Sequence, residues 1–284
     1  MSVEQAGTFL LGGDLPVHRL GFGAMRITGS GIWGEPPDRE EARRVLLRAL
    51  ELGVNLIDTA DSYGPDVSER LIGETLAPYP PGVVIATKGG LTRPGPDEWK
   101  RHATPDHLRK ACEGSLKRLK VERIDLYQLH APDPRVPLEE QLGTLDSLQR
   151  QGKIRHIGVS NFDVKQLELA SAVVKVVSVQ NRYNLADRSS QDVLEWCERK
   201  GVAFIPWRPL GIEGIDEVAL ADIAARHGAT PSQIALAWLL ASSKVMLPIP
   251  GTGSSKHLEE NCAAARIRLS DGEVRTLRDL RPAA

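Results

Sequence analysis

From Asn55 onward, short runs of apolar and β-branched residues alternate with longer stretches whose apolar positions recur every three or four residues. That alternation predicts parallel strands joined by crossover helices. The strands are expected at Asn55–Asp58, Val83–Thr87, Ile124–Leu129, His156–Ser160, Val176–Gln180, Ala203–Pro206 and Val245–Pro248. Helical periods follow them at Ser68–Leu76, Pro105–Leu119, Leu138–Gln151, Val164–Val173, Gln191–Lys200, Glu217–His227 and Ser255–Ala265. An earlier strand over Arg19–Gly23 with a helix over Arg39–Leu52 completes eight units. Strand ends recur about every 32 residues, the length of one βα unit, and eight such units close into a (β/α)8 TIM barrel of about 250 residues.

Additions at both ends fit that α/β plan. Thr8–Leu11 and Pro16–Leu20 flank Gly12-Gly13-Asp14, which predicts a β-hairpin placed to plug the N-terminal base of the barrel. Between Asp216 and Ser242 two helical patterns are split by Gly228-Ala-Thr-Pro, where Thr230 can cap a helix and Pro231 suits its first turn. One extra helix therefore precedes the last strand. A final helix over Asp271–Leu280 starts from Ser270, with Glu273 at the capping-box spacing. The competing plan, an open doubly wound sheet for a dinucleotide, would carry G-x-G-x-x-G, and Gly21-Phe-Gly-Ala-Met-Arg lacks the third glycine. No Pro/Gly/Ser-rich linker divides the chain, so residues 1–284 are read as one barrel domain.

Composition narrows the function classes. Lys and Arg total 36 against 37 Asp and Glu, a net charge of −1, which leaves no basic excess for a nucleic acid. The longest strongly apolar stretch, Ile234–Ala241, falls far short of the roughly 20 residues that span a bilayer, and Met1–Gly7 lacks a signal-peptide layout. A soluble, cytoplasmic protein is expected, with no membrane partner. Cys112, Cys197 and Cys262 are odd in number and form no C-x-x-C pair, so each is expected as a small buried side chain, and no metal site is indicated.

Barrels of this kind gather their chemistry at the carboxyl ends of the strands. There this chain places Asp58, with Tyr63 five residues on, then Lys88, His130, Asn161 and Gln180. A carboxylate, a phenol, an ammonium and an imidazole on one rim form an acid/base set. The phenol ordinarily ionises near pH 10, and an adjacent ammonium lowers that value by favouring phenolate. Lys88 would supply the charge, Asp58 would keep a buried Lys88 protonated, and His130 could donate a hydrogen bond to a substrate oxygen. The chemistry this suggests is protonation of a carbonyl oxygen while its carbon is attacked.

At these residues the chain resembles the aldo-keto reductase superfamily over nearly its whole length. The resemblance is carried by Gly21-Phe-Gly-Ala-Met, Asn55-Leu-Ile-Asp-Thr-Ala-Asp-Ser-Tyr-Gly, Ala86-Thr-Lys, Asp125-Leu-Tyr-Gln-Leu-His, Ile157-Gly-Val-Ser-Asn-Phe and Val179-Gln-Asn-Arg-Tyr-Asn-Leu. It implies a monomeric barrel that reduces a small-molecule aldehyde or ketone with NADPH, without metal or flavin. Tyr63 is then the general acid, tuned by Asp58 and Lys88, and His130 orients the carbonyl. Ser160, Asn161 and Gln180 are implied at the nicotinamide carboxamide, and Trp207 as the ring stacked on the nicotinamide. Gly23, Met25, Asp58, Arg208 and Leu210 are implied along the cofactor groove, with Arg208 at a usually small, polar position.

The segment from Ile249 to Cys262 resembles the family's adenosine-phosphate loop. Gly251, Thr252 and Gly253 suit a phosphate, and Glu260 and Asn261 match the pair expected at the adenine. Gly251 stands where many members have Lys, and His257 where many have Arg. Both departures remove fixed charge for the 2′-phosphate, so a weakened preference for NADPH is implied and NADH is admitted as a cofactor. Trp33, in the loop after the first strand, is a candidate substrate wall, and Gly89–Arg101, with Arg93, Trp99, Lys100 and Arg101 among Gly and Pro, a candidate segment for shaping access. Two rivals are a nucleotide-binding regulatory subunit with slow turnover and an aldolase using Lys88 as a Schiff-base nucleophile.

Overall fold

The structure, a computed structural model, describes residues 2–280. In chain order the strands are β1 (Thr8–Leu11), β2 (Leu15–His18), β3 (Phe22–Gly23), β4 (Leu56–Asp58), β5 (Val84–Gly89), β6 (Leu91–Thr92), β7 (Lys100–Arg101), β8 (Ile124–Leu129), β9 (Ile154–Ser160), β10 (Val176–Arg182) and β11 (Ala203–Trp207). The helices are α1 (Arg39–Glu51), α2 (Val67–Leu76), α3 (Pro105–Leu119), α4 (Leu138–Arg150), α5 (Val164–Val173), α6 (Gln191–Lys200), α7 (Glu217–Arg226), α8 (Pro231–Ser242), α9 (Ser255–Ala263) and α10 (Asp271–Asp279). Seven strands form one parallel sheet in the order β3-β4-β5-β8-β9-β10-β11.

The outer helices mostly bury one stripe, while α8 buries every residue from Ile234 to Leu239. In α1 the stripe is Ala42, Val45, Leu46 and Ala49, behind an Asp38 cap that accepts from the Glu41 amide. Helices α8 and α10 both start with reciprocal capping boxes, Thr230 with Gln233 and Ser270 with Glu273. Between strands and helices lies the larger apolar layer. A second, inner layer joins Leu11, Leu15 and Val17 to Leu56, Val84, Ala86, Leu126, Ala203, Ile205 and Leu247. Strands β1 and β2 are antiparallel, Phe9 opposite Val17, and their apolar residues fill the lower end of the sheet's interior.

The expected last strand, Val245–Pro248, takes a different form. It makes a single bridge, Met246 with Phe204, whose bonds include Leu247 N to Phe204 O, and otherwise separate hydrogen bonds to the other edge. Leu247 N donates to Phe204 O (2.8 Å), while Gly21 N and Gly23 N donate to Pro248 O (3.0 Å) and Pro250 O (3.4 Å). The segment thus touches both edges of the sheet. Pro248 and Pro250 have no N–H to donate, so no regular ladder forms, and seven strands stand where eight are expected. The first strand is likewise shortened to Phe22–Gly23, and the ribbon of β6 and β7 and the short 3-10 turns at Ala24–Ile27 and Ser30–Ile32 carry no periodic signal.

Parity along the strands positions the site. Side chains two residues apart share a face, so Leu56, Ala86 and Leu126 in the inner layer are followed upward by Asp58, Lys88 and Gln128. The register puts Lys88 opposite Gln128. A bulge between Val176 and Ser178 resets β10, so that Val177 joins the inner layer and Gln180 also reaches Asp58.

Outside the sheet, Glu69 on α2 is fully buried and accepts from Arg118 Nε of α3 (2.7 Å) and from Thr87 of β5. Replacing Arg118 by Ala leaves that carboxylate unpaired in the interior. Denaturant unfolding of Arg118→Ala should show a loss of about 3–5 kcal/mol, against a near-neutral result for the exposed pair change Arg109→Ala.

Candidate active site

The site is built around a fully buried ammonium. Lys88 Nζ donates to Asp58 Oδ1 (2.6 Å), to the Thr59 carbonyl (2.8 Å) and to the Tyr63 hydroxyl (3.3 Å). The other oxygen of Asp58 accepts from Gln180 Nε2 (2.9 Å) and Gln128 Nε2 (3.1 Å). Burial disfavours the charged form of Lys88, yet the Asp58 carboxylate and the Tyr63 hydroxyl outweigh it and raise its pKa. Lys88 is therefore held protonated.

The Tyr63 phenol differs from its expected tuning. Its pKa is raised, because burial is the largest influence, and Lys88 only partly opposes it while Asp58 adds to it. Tyr63 is thus held as the protonated phenol. His130 is pushed well below its ordinary pKa by burial and by the Lys88 charge, which keeps the imidazole neutral. Its Nδ1 lies 3.3 Å from Ser62 Oγ. The rings of Tyr63, His130 and Trp99 stand edge to face, with centroids 5.9 to 6.3 Å apart.

Beside this group lies a cavity of about 250 Å³, lined by Gly23, Met25, Asp58, Tyr63, Gln180, Trp207, Arg208, Leu210 and Gly251 among others. Two glycines in its wall let the backbones of 23 and 249–251 approach closely. A Cβ on Gly23 would come 2.6 Å from the Ile249 carbonyl, and one on Gly251 would come 2.6 Å from the Gly23 carbonyl. Asn161, with a left-handed backbone (φ 63°), donates to the His130 carbonyl and to Ser160 Oγ (both 3.0 Å) and accepts from Trp207 Nε1 (3.1 Å). Ser160 itself donates to the Gln180 carbonyl (2.8 Å). Among the described residues, the backbone N–H groups of Gly251, Thr252 and Gly253 meet no protein acceptor, which fits a bound phosphate. Thr252 and Asn261 are buried, His257 is exposed, and Glu260 lies 4.0 Å from Lys256.

The expected catalytic four are therefore adjacent, and most of the expected groove residues line one cavity. Trp33 is set apart, half-buried behind Arg93 at 6.0 Å from its guanidinium carbon. Gln128, Ser62 and Arg26 belong to the site or its rim without having been singled out. Gln128 was findable by parity, two residues beyond the inner-layer Leu126; Arg26, on the cavity wall, has no such signal.

The sequence pattern of the Aldo/keto reductase family matches residues 19–217 and 216–282. This chain belongs to that family. An uncharacterized oxidoreductase of Schizosaccharomyces pombe is 49% identical over 272 residues, covering 95% of this chain and 88% of its own. A pyridoxine 4-dehydrogenase of Escherichia coli is 41% identical over 280 residues, covering 96% and 97%. The crystal structure of an aldo/keto reductase from Klebsiella pneumoniae, in complex with NADP and acetate, superposes with a TM-score of 0.82 at 28% identity, covering 95% and 93%.

For this aldo-keto reductase the depressed pKa of His130 has a pH consequence. The unfolded chain takes up a proton near pH 6.5 that the folded site resists, so stability is present above that pH and is lost as pH falls. Between pH 7 and 5 the melting temperature of the wild type should drop more steeply than that of His130→Gln. Parallel curves in thermal scans would contradict a neutral, buried His130.

Proposed function

We propose that this chain, as one monomeric barrel domain over residues 1–284, reduces an aldehyde or ketone to the alcohol with NADPH as cofactor, Tyr63 acting as general acid. The observation that carries the reading is the Lys88 ammonium placed between the Asp58 carboxylate and the Tyr63 hydroxyl. The family membership and the NADP-bound relative support the reaction class.

When bound, NADPH supplies a hydride to the carbonyl carbon. The chain's own task is the oxygen. Tyr63 holds a proton at its hydroxyl and passes it to the carbonyl oxygen, while Lys88 stabilises the phenolate left behind. That phenolate is the state in which the Lys88 charge is worth most, since burial penalises it when unpaired. With Ser62 Oγ donating to Nδ1, neutral His130 carries its proton on Nε2 and donates it as a hydrogen bond to the same oxygen. Ser160, Asn161 and Gln180 would hold the carboxamide of the nicotinamide, and Trp207 would face its ring. Gly23, Met25, Arg208 and Leu210 would wall the groove, Gly251, Thr252 and Gly253 would take phosphate, and Glu260 and Asn261 would take the adenine.

An aldolase reading of Lys88 needs a neutral amine, and the three acceptors around Nζ with the raised pKa oppose that. The pyridoxine 4-dehydrogenase relative puts pyridoxal in the first panel of substrates.

Tyr63→Phe should lower kcat/KM for an activated aromatic aldehyde by about 10²–10⁴-fold, with NADPH affinity, read by quenching of protein fluorescence, within about twofold. A wild type that binds NADPH and turns over no carbonyl in a broad panel would instead favour the regulatory-subunit reading. With Gly251 and His257 in place of fixed charges, the preference for NADPH over NADH in kcat/KM should be small. A preference of several orders of magnitude for NADPH would contradict this.

A further inference from the structure

Arg93 is a buried guanidinium, 7% exposed, that makes no ion pair among the described residues. Its donors are spent on backbone instead: Nε on the Glu98 carbonyl (2.7 Å), Nη1 on Ile32 (3.0 Å), and Nη2 on Gly31 (2.7 Å) and Gly95 (3.4 Å). Its planar face lies 3.9 Å from the centre of the Trp99 ring. One side chain thus joins the loop after β3 to the loop after β5.

A third loop is tied in through Ile32. This β-branched residue has a left-handed backbone (φ 56°), a strained state for its type. The strain turns one carbonyl to two donors, Arg93 Nη1 and the amide of Gly64 (3.2 Å), the residue next to Tyr63. The Asp97 amide also donates to the Gly31 carbonyl (3.2 Å). Trp99 is thereby fixed with respect to the acid itself.

Trp99 is the one aromatic among the exposed large apolar side chains described, at 38% exposure. One face is covered by Arg93, and the ring stands edge to face with both Tyr63 and His130. An exposed indole, held on one face by Arg93 and beside an acid/base pair, is apolar surface that a ligand bound at those groups would cover. A flat aromatic group carried by a carbonyl at Tyr63 and His130 would do so, with the ring–ring contact as its gain. A short aliphatic aldehyde would reach the same two groups and leave the indole uncovered.

We infer that Arg93 is a positioning residue that holds Trp99 against Tyr63 and His130, and that Trp99 so held selects aryl aldehydes over small aliphatic ones. The inference rests on the carbonyl binding at Tyr63 and His130, as set out above.

The test compares 4-nitrobenzaldehyde with propanal. Wild type should show the lower KM for the aryl aldehyde. Arg93→Ala and Trp99→Leu should each raise that KM about tenfold or more, with the propanal KM within about twofold and kcat little changed for either. Arg93→Lys, which keeps the charge but neither the planar face nor the fork of donors, should behave like Arg93→Ala, and Trp99→Phe should recover part of the loss. Acrylamide quenching of Trp99, taken as the difference from Trp99→Phe, should rise in Arg93→Ala. Because Trp99 is partly exposed, its variants keep the test informative if Arg93→Ala fails to fold. Equal KM increases for both aldehydes, or an unchanged aryl KM in both Arg93 and Trp99 variants, would overturn the inference. Retained turnover in Tyr63→Phe would instead strike at the acid assignment, a separate failure.

Discussion

Keeping one ammonium charged where no water reaches it is the constraint that organises this molecule. Taking a lysine out of water costs several kcal/mol even after relaxation, and the cost is offset only by close, well-aligned partners. Here the partners come from three places: the carboxylate of Asp58 at the end of β4, the Thr59 carbonyl one residue on, and the Tyr63 hydroxyl at the far side of the same loop. Asp58 in turn is steadied by two amides, Gln128 from β8 and Gln180 from β10. Four strands must therefore keep register with one another for the charge to be tolerated. The inner apolar layer beneath these residues, from Leu56 to Leu126, is what maintains that register.

The same burial sets the electrostatics of the neighbouring rings. Lys88 on its own would draw the phenol of Tyr63 downward, and Asp58 and the dry surroundings draw it upward by more. A phenol held protonated at rest and next to a fixed cation is suited to give its proton away only when a negative oxygen forms beside it. His130, under the influence of that cation and of burial, stays neutral and so remains a donor on one nitrogen and an acceptor on the other. Burial thus fixes the protonation state of both rings, with the Lys88 charge opposing it at Tyr63 and reinforcing it at His130.

Much of this was legible before any coordinates. The alternation of strand and helix periods marked the βα units, and the polar residues that end the apolar runs, Asp58, Lys88, His130, Asn161 and Gln180, are the ones the structure gathers. What escaped has physical reasons. Val245–Pro248 has the composition of a strand, but its prolines remove the donors a ladder needs, a restriction that apolar patterning does not register. Arg93 and Trp99 sit in a Gly/Pro-rich segment without period, so their stacking depends on backbone turns at Gly31 and Ile32 that lie 62 and 61 residues before Arg93 in the chain. Lys88 does lower the Tyr63 pKa as expected, but the net shift is upward because burial, which the sequence pattern does not show, outweighs it.

The proline-bearing segment 245–250 has a further consequence. It joins the edges β3 and β11 through a handful of isolated hydrogen bonds, so the ring of strands has a seam with no continuous ladder. The residues immediately beyond it are Gly251, Thr252 and Gly253, and the carbonyls of Gly23 and Arg26 are the surfaces that press on Gly251 and Gly253. Anything gripping the 251–253 backbone also pins the seam. Ligand affinity and the cohesion of the fold are therefore thermodynamically linked at this point, each strengthening the other.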